Sequence, residues 1–116
     1  MTEEHLNIDA IVKWIETSKN GDVQKVDAPK PTGQFESYGF IIGGFEFRVT
    51  RFTGTGGVSD TLYVREAMKS RHILTISGNK ASEVYFAAYH REKDYQATKQ
   101  QDAIRQINQI LAELIK

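Results

Sequence analysis

The sequence predicts a single α+β domain, a five-stranded antiparallel meander with an N-terminal and a C-terminal helix packed on one face. Three observations lead there. Apolar residues recur at helical spacing near both ends, the middle alternates apolar and polar residues between glycine turns, and 116 residues leave room for one domain.

The first helix is expected over 7–20. Ile8, Ile11, Val12 and Ile15 follow the i, i+3, i+4, i+7 rule and share one stripe. Asn7 is the N-cap, Asp9 suits the positive end of the helix, and Leu6 is placed to staple onto Ile11. Trp14 lies at the edge of the stripe and is read as closing the core. Asn20-Gly21 supplies left-handed residues to end the helix. Residues 22–34 read as a connector, because two prolines and a glycine disfavour helix and central strand alike. Val23 or Val26 should pin it to the body.

The sheet is assigned to 35–90. With Gly43-Gly44 as a two-residue hairpin turn, Ile42 faces Phe45, Phe40 faces Phe47 and Tyr38 faces Val49, all on one side. A one-residue slip would turn Phe45 and Phe47 outwards. The other side then carries Phe35, Ser37, Gly39 and Ile41 against Glu46, Arg48, Thr50 and Phe52. Further strands are expected over 61–65, 72–77 and 84–90, with a short polar crossing near Ala67-Met68-Lys69 and a turn around Gly78-Asn79-Lys80. An odd residue count in that turn would put Leu74 and Ile76 on the face of Val84, Phe86 and Ala88.

The last element is a helix over 95–116, capped by Asp94, with Ile104, Ile107, Ile110, Leu111, Leu114 and Ile115 as a wide apolar stripe. Four of these keep heptad spacing, but two heptads are fewer than a coiled coil needs, so the stripe is read as packed on the sheet.

Composition narrows the function classes. Fifteen basic and fifteen acidic residues give a net charge of zero, so any basic site is a local patch. Without cysteine there is no disulfide, thiol chemistry or Cys-type zinc site. His5, His72 and His90 fit no metal-ligand spacing, so neither metal nor cofactor is expected. No apolar run is long enough for a membrane helix, and Met1-Thr2-Glu3-Glu4 opens acidic; a cytoplasmic protein that avoids membranes is expected. The glycines of Gly54-Thr55-Gly56-Gly57 lack the third glycine or the Gly-Lys-Ser/Thr of a phosphate loop. They are read as a flexible loop that can serve as a contact tip.

The sharper constellation is the outer sheet face. In the expected registers it gathers Arg48, Phe52, Tyr63, Arg65, Arg71, Ile73, Thr75, Tyr85, Tyr89 and Arg91. Arginines among aromatics suit a protein interface. They equally suit single-stranded nucleic acid, where bases stack on rings and guanidinium groups meet phosphates. The plainest reading is a solvated sheet surface, with stems on apolar neighbours and polar tips in water.

No nucleophile elbow, paired-carboxylate signature or cofactor motif occurs, so no catalytic residue is assigned. The element order, with its short crossing, is similar in outline to the small dimeric secretion chaperones, which hold partner segments against their sheet. That likeness is one of fold and rests on no motif. The expected function is a non-enzymatic protein-interaction domain (adaptor, inhibitor or chaperone-like) that self-associates as a homodimer through the outer face. A single-stranded nucleic-acid module on the same face is the alternative.

Overall fold

The computed structural model describes residues 5–26, 34–69 and 71–115. The acidic opening at 1–4 and positions 27–33 of the connector lie outside the described residues. Helix α1 (Ile8–Glu16) starts as its sequence dictates: the Asn7 side chain accepts a hydrogen bond from the Ala10 amide at 3.0 Å. It stops four residues before the expected end at Asn20. The Thr17 hydroxyl bonds the Lys13 carbonyl at 2.9 Å and the Ser18 hydroxyl bonds the Ile15 carbonyl at 2.6 Å, which closes the last turn before the chain reaches Gly21.

The five strands are β1 (Gln24–Val26), β2 (Gln34–Ile42), β3 (Phe45–Gly54), β4 (Gly57–Glu66) and β5 (His72–Ser77), antiparallel neighbours in chain order. The α+β meander therefore stands, but its membership changes. Strand β1 lies in the stretch read as a connector; its three residues pair with Ser37, Tyr38 and Gly39 of β2. Val23, just before it, is buried and pins the segment as expected. The hairpin of β2 and β3 has the expected register, with Ile42 opposite Phe45, Phe40 opposite Phe47 and Tyr38 opposite Val49. Gly43 and Gly44 both hold positive φ, at 55° and 84°, as a primed two-residue turn requires. At the other end of the sheet Gly54 pairs with Gly57, so the expected four-residue loop is a tight turn with only Thr55 and Gly56 at its tip.

The expected strand at 84–90 is helix. Helix α2 (Asn79–Leu114) runs 36 residues without a break, so Asp94 is interior to it and caps nothing. The reason is legible afterwards: no glycine or proline occurs between Asn79 and Leu114, and Ala81, Val84, Tyr85 and Ala88 keep helical spacing and are the positions buried. Leu74 and Ile76 therefore share the core face with Val64 and Leu62 of β4 rather than with a later strand. A bulge makes Ile73 the extra residue of β5, between His72 opposite Arg65 and Leu74 opposite Val64.

One core unites α1, the first half of α2 and the inner sheet face. Phe40 stacks on Phe47 at 5.2 Å and on Trp14 at 5.6 Å, while Tyr38 meets Tyr85 at 5.7 Å. The C-terminal half of α2 takes no part. Every residue over 96–115 is exposed, and the stripe expected to cover the sheet faces solvent. A helix of 36 residues spans about 54 Å at 1.5 Å per residue, so it outruns the body and sets the 72 Å long axis of the molecule. Among the described residues, no helix is long and apolar enough to cross a membrane.

Candidate functional site

Strand register sorts the outer face into rows. Gly39, Arg48, Tyr63 and Thr75 line up across β2 to β5, and Ile41, Glu46, Arg65 and His72 form the next row. A third row is all hydroxyls, Ser37, Thr50, Thr61 and Ser77; Ser37 and Thr50 share a hydrogen bond of 2.8 Å. Beyond it Phe35 and Phe52 pair at 4.9 Å, near the Thr55-Gly56 turn. Both helices pack on the inner face, so among the described residues no helix covers these rows.

The first two rows, apart from Thr75, line a groove of about 570 Å³, shared with Trp14 and Val26. Gly39 forms its floor. A Cβ built there would lie 3.3 Å from the Val26 side chain, so the glycine is what lets Val26 of β1 pack down onto β2. The rings of Tyr63 and His72 lie 4.9 Å apart along one side. Arg65 bonds Glu46 through both Nε at 2.7 Å and Nη2 at 2.6 Å, and this hydrogen bonding holds the Glu46 carboxyl below its usual range. The groove lining thus mixes aromatic and aliphatic groups with charged and polar ones, among them Asp22, Gln24, Arg48 and the paired Arg65 and Glu46.

Sequence reasoning placed ten side chains together, and the structure keeps five of them in register on the outer sheet face: Arg48, Phe52, Tyr63, Arg65 and Thr75, with Ile73 the extra residue of the β5 bulge. Arg71 is exposed just before β5. Tyr85, Tyr89 and Arg91 are not on that face, because the segment expected as a strand is part of α2 and turns them to the opposite side of the sheet. Tyr85 is buried, Tyr89 meets Tyr38 edge-on at 6.3 Å, and Arg91 donates to the Ser18 backbone carbonyl at the end of α1. Gly54, Thr55, Gly56 and Gly57 lie at the far end from the groove, beyond the Phe35 and Phe52 pair. Glu46, His72 and Trp14 were not nominated. The signal for Glu46 lies in the β3–β4 register, which brings it opposite Arg65 across 19 residues of sequence, and that for His72 in the β4–β5 register.

The inner face has its own polar cluster. Register aligns Glu36, Arg51 and Asp60 across three strands. Arg51 grips Asp60 with two bonds of 2.8 Å, Ser82 of α2 donates to the same carboxylate at 2.6 Å, and Tyr85 and Tyr38 both donate to Glu36. The Arg51 guanidinium also lies 4.2 Å from the Tyr85 ring centre and 4.5 Å from that of Phe86. The Arg51 hydrogen bonds hold the Asp60 carboxyl low against the opposing effect of burial. Burial pushes the Glu36 carboxyl up, but the bonds from Tyr85 and Tyr38 and the nearby Lys25 ammonium outweigh it and leave it below its usual range. The Tyr38 and Tyr85 hydroxyls are pushed up, first by burial and then by Glu36. The cluster therefore holds α2 against the strands, and none of these four groups is poised to exchange a proton near neutral pH.

Among the described residues, no group of three His, Asp or Glu side chains is placed to hold a metal ion. No family model, curated protein or solved structure matches the chain.

Proposed function

We propose that the chain is a non-enzymatic protein-interaction domain that receives an extended segment of a protein partner in the groove on the outer sheet face. The observation that carries this reading is the groove whose lining brings Tyr63, His72, Trp14 and Ile41 together. Its volume of about 570 Å³ is within the range of roughly 300–1,000 Å³ typical of binding sites. The aromatic and aliphatic members of that lining favour an apolar or aromatic anchor side chain on the partner, and its charged members suit a polar segment on either side of the anchor.

Nucleic acid is favoured less. Arg65 is matched by Glu46 and Arg51 by Asp60, Arg91 serves the end of α1, and Tyr85 offers no face for a base.

Selection from a displayed random-peptide library tests the reading. Recovered peptides should share an apolar or aromatic anchor, and Ile41→Glu, which puts a charge in the groove lining, should abolish their binding while Tyr63→Ala weakens it. Peptides that bind both variants as well as the parent protein would refute the groove. Oligonucleotide binding that collapses with rising salt, in place of peptide binding, would replace this reading with the other.

A further inference from the structure

We propose that residues 96–115 of α2 form a dimerisation arm, and that what covers its apolar stripe is the same arm of a second copy of this chain. The arm is separate from the groove. Taken at about 100° per residue, its stripe points roughly 100° away from the direction in which Ala81, Val84, Tyr85 and Ala88 enter the core. Helix α2 thus carries two apolar faces in succession, one satisfied within the chain and one not.

Ile104, Ile107, Leu111 and Leu114 keep the spacing of three, four and three that forms a two-helix seam, and Ile110 and Ile115 widen it on either side. The exposures run from 45% at Ile104 to 83% at Ile115. Stripes of this kind are normally covered. This stretch of α2 has no packed face and so draws no stability from tertiary contacts, which supply most helical stability in proteins; covering its stripe would stabilise it.

Three features favour its own copy. Positions flanking the seam are Gln101, Ala103, Asn108, Ile110 and Ile115, none charged, so identical helices meet without like-charge repulsion and no flanking charge selects a foreign helix. Charges within the arm are Lys99 and Arg105 against Asp102 and Glu113, and Arg105 already pairs with Asp102 at 3.5 Å. The arm is thus electrically balanced, without the basic polar side of a membrane-surface helix. Six side chains at roughly 100 Å² of apolar surface each give roughly 1,200 Å² buried between two copies, the lower end of a stable interface. A dimer of that size should form reversibly, with a population that depends on concentration.

Sedimentation velocity over a broad dilution series of the whole chain, paired with far-UV and near-UV circular dichroism, tests this. The parent protein should pass from dimer to monomer on dilution and lose helicity as it does so. Ile107→Glu with Leu111→Glu should raise the dissociation constant by about a hundredfold or more, since two charges would enter the seam from each copy. Near-UV signals from Trp14 should be retained, because Trp14 packs on Phe40 in the body. Gln109→Glu, on the far side of the arm, should leave dimerisation unchanged. A parent protein that stays monomeric at every concentration would overturn the proposal, and so would a dimer unaffected by the seam substitutions. Binding of the monomer through its arm to lipid vesicles would overturn it in favour of a membrane surface.

Discussion

Substituting Asp60→Asn isolates the charge that joins the sheet to α2. Asp60 is 4% exposed, and its carboxylate takes two bonds from Arg51 and one from Ser82. Breaking a buried pair by removing one charge costs about 3–5 kcal/mol. Two features lower that figure here. The Arg51 side chain is 22% exposed, and its guanidinium keeps the Tyr85 and Phe86 rings as neighbours. The loss should therefore be about 2–3 kcal/mol, or a fall of roughly 10 °C in Tm. Urea unfolding at neutral pH measures it. The pH dependence follows from the low folded pKa values of Asp60 and Glu36. A carboxylate whose pKa is depressed by folding contributes stability that is complete above its unfolded value of about 4 and is lost as pH falls through the folded value. The parent protein should thus lose stability below pH about 4, and Asp60→Asn should flatten that acid limb. Replacing both partners, as Arg51→Met with Asp60→Leu, should restore most of the loss, since Ser82 keeps its bond to the Gly78 carbonyl. An Asp60→Asn protein with the parent's neutral stability and acid limb would refute this account of the cluster.

Two further predictions concern packing and backbone. Phe47→Ala removes a buried ring stacked 5.2 Å from Phe40 and should cost about 3–5 kcal/mol in urea unfolding, while parent-like melting would mean that the β2–β3 hairpin does not pack as described. Gly78, between β5 and α2, holds φ 90° and ψ −150°, a region essentially reserved for glycine. Gly78→Ala should cost about 1–3 kcal/mol, and a variant as stable as the parent would show that this junction is not strained by a side chain.

The parts of the fold legible in sequence are those fixed by local chemistry. The Asn7 cap and the Gly43-Gly44 turn each need particular residues, and the apolar alternation around that turn admits one register. Strand β1 carries no such signal: three residues are too few for a period, and their reason to be extended lies in the edge of β2. The 84–90 segment shows the opposite difficulty. Val84, Phe86 and Ala88 alternate like a strand, yet Ala81, Val84, Tyr85 and Ala88 repeat like a helix, and only the lack of a breaker downstream decides between them. That single choice displaced Tyr85, Tyr89 and Arg91 from the candidate surface. Arg48 and Phe52 share the outer face because parity within β3 follows from the Gly43-Gly44 turn, whereas Tyr63 and Arg65 join them through the tight Thr55-Gly56 turn that the sequence presents as a loop.

The stripe on the C-terminal half of α2 was legible as a pattern but not as a location. Helical spacing says that Ile104, Ile107, Leu111 and Leu114 share a side; it says nothing of whether the body extends far enough to meet them. The answer depends on where the helix starts. Beginning near Asp94, a helix could have turned back over the sheet; beginning at Asn79, it spends its first turns on the core and carries the stripe past the body. The groove lies on the outer sheet face and α2 on the inner one, so arms that pair leave both grooves open. A dimer built this way presents two identical grooves, and a target that can engage both is held more tightly than either groove holds it alone, without any new contact.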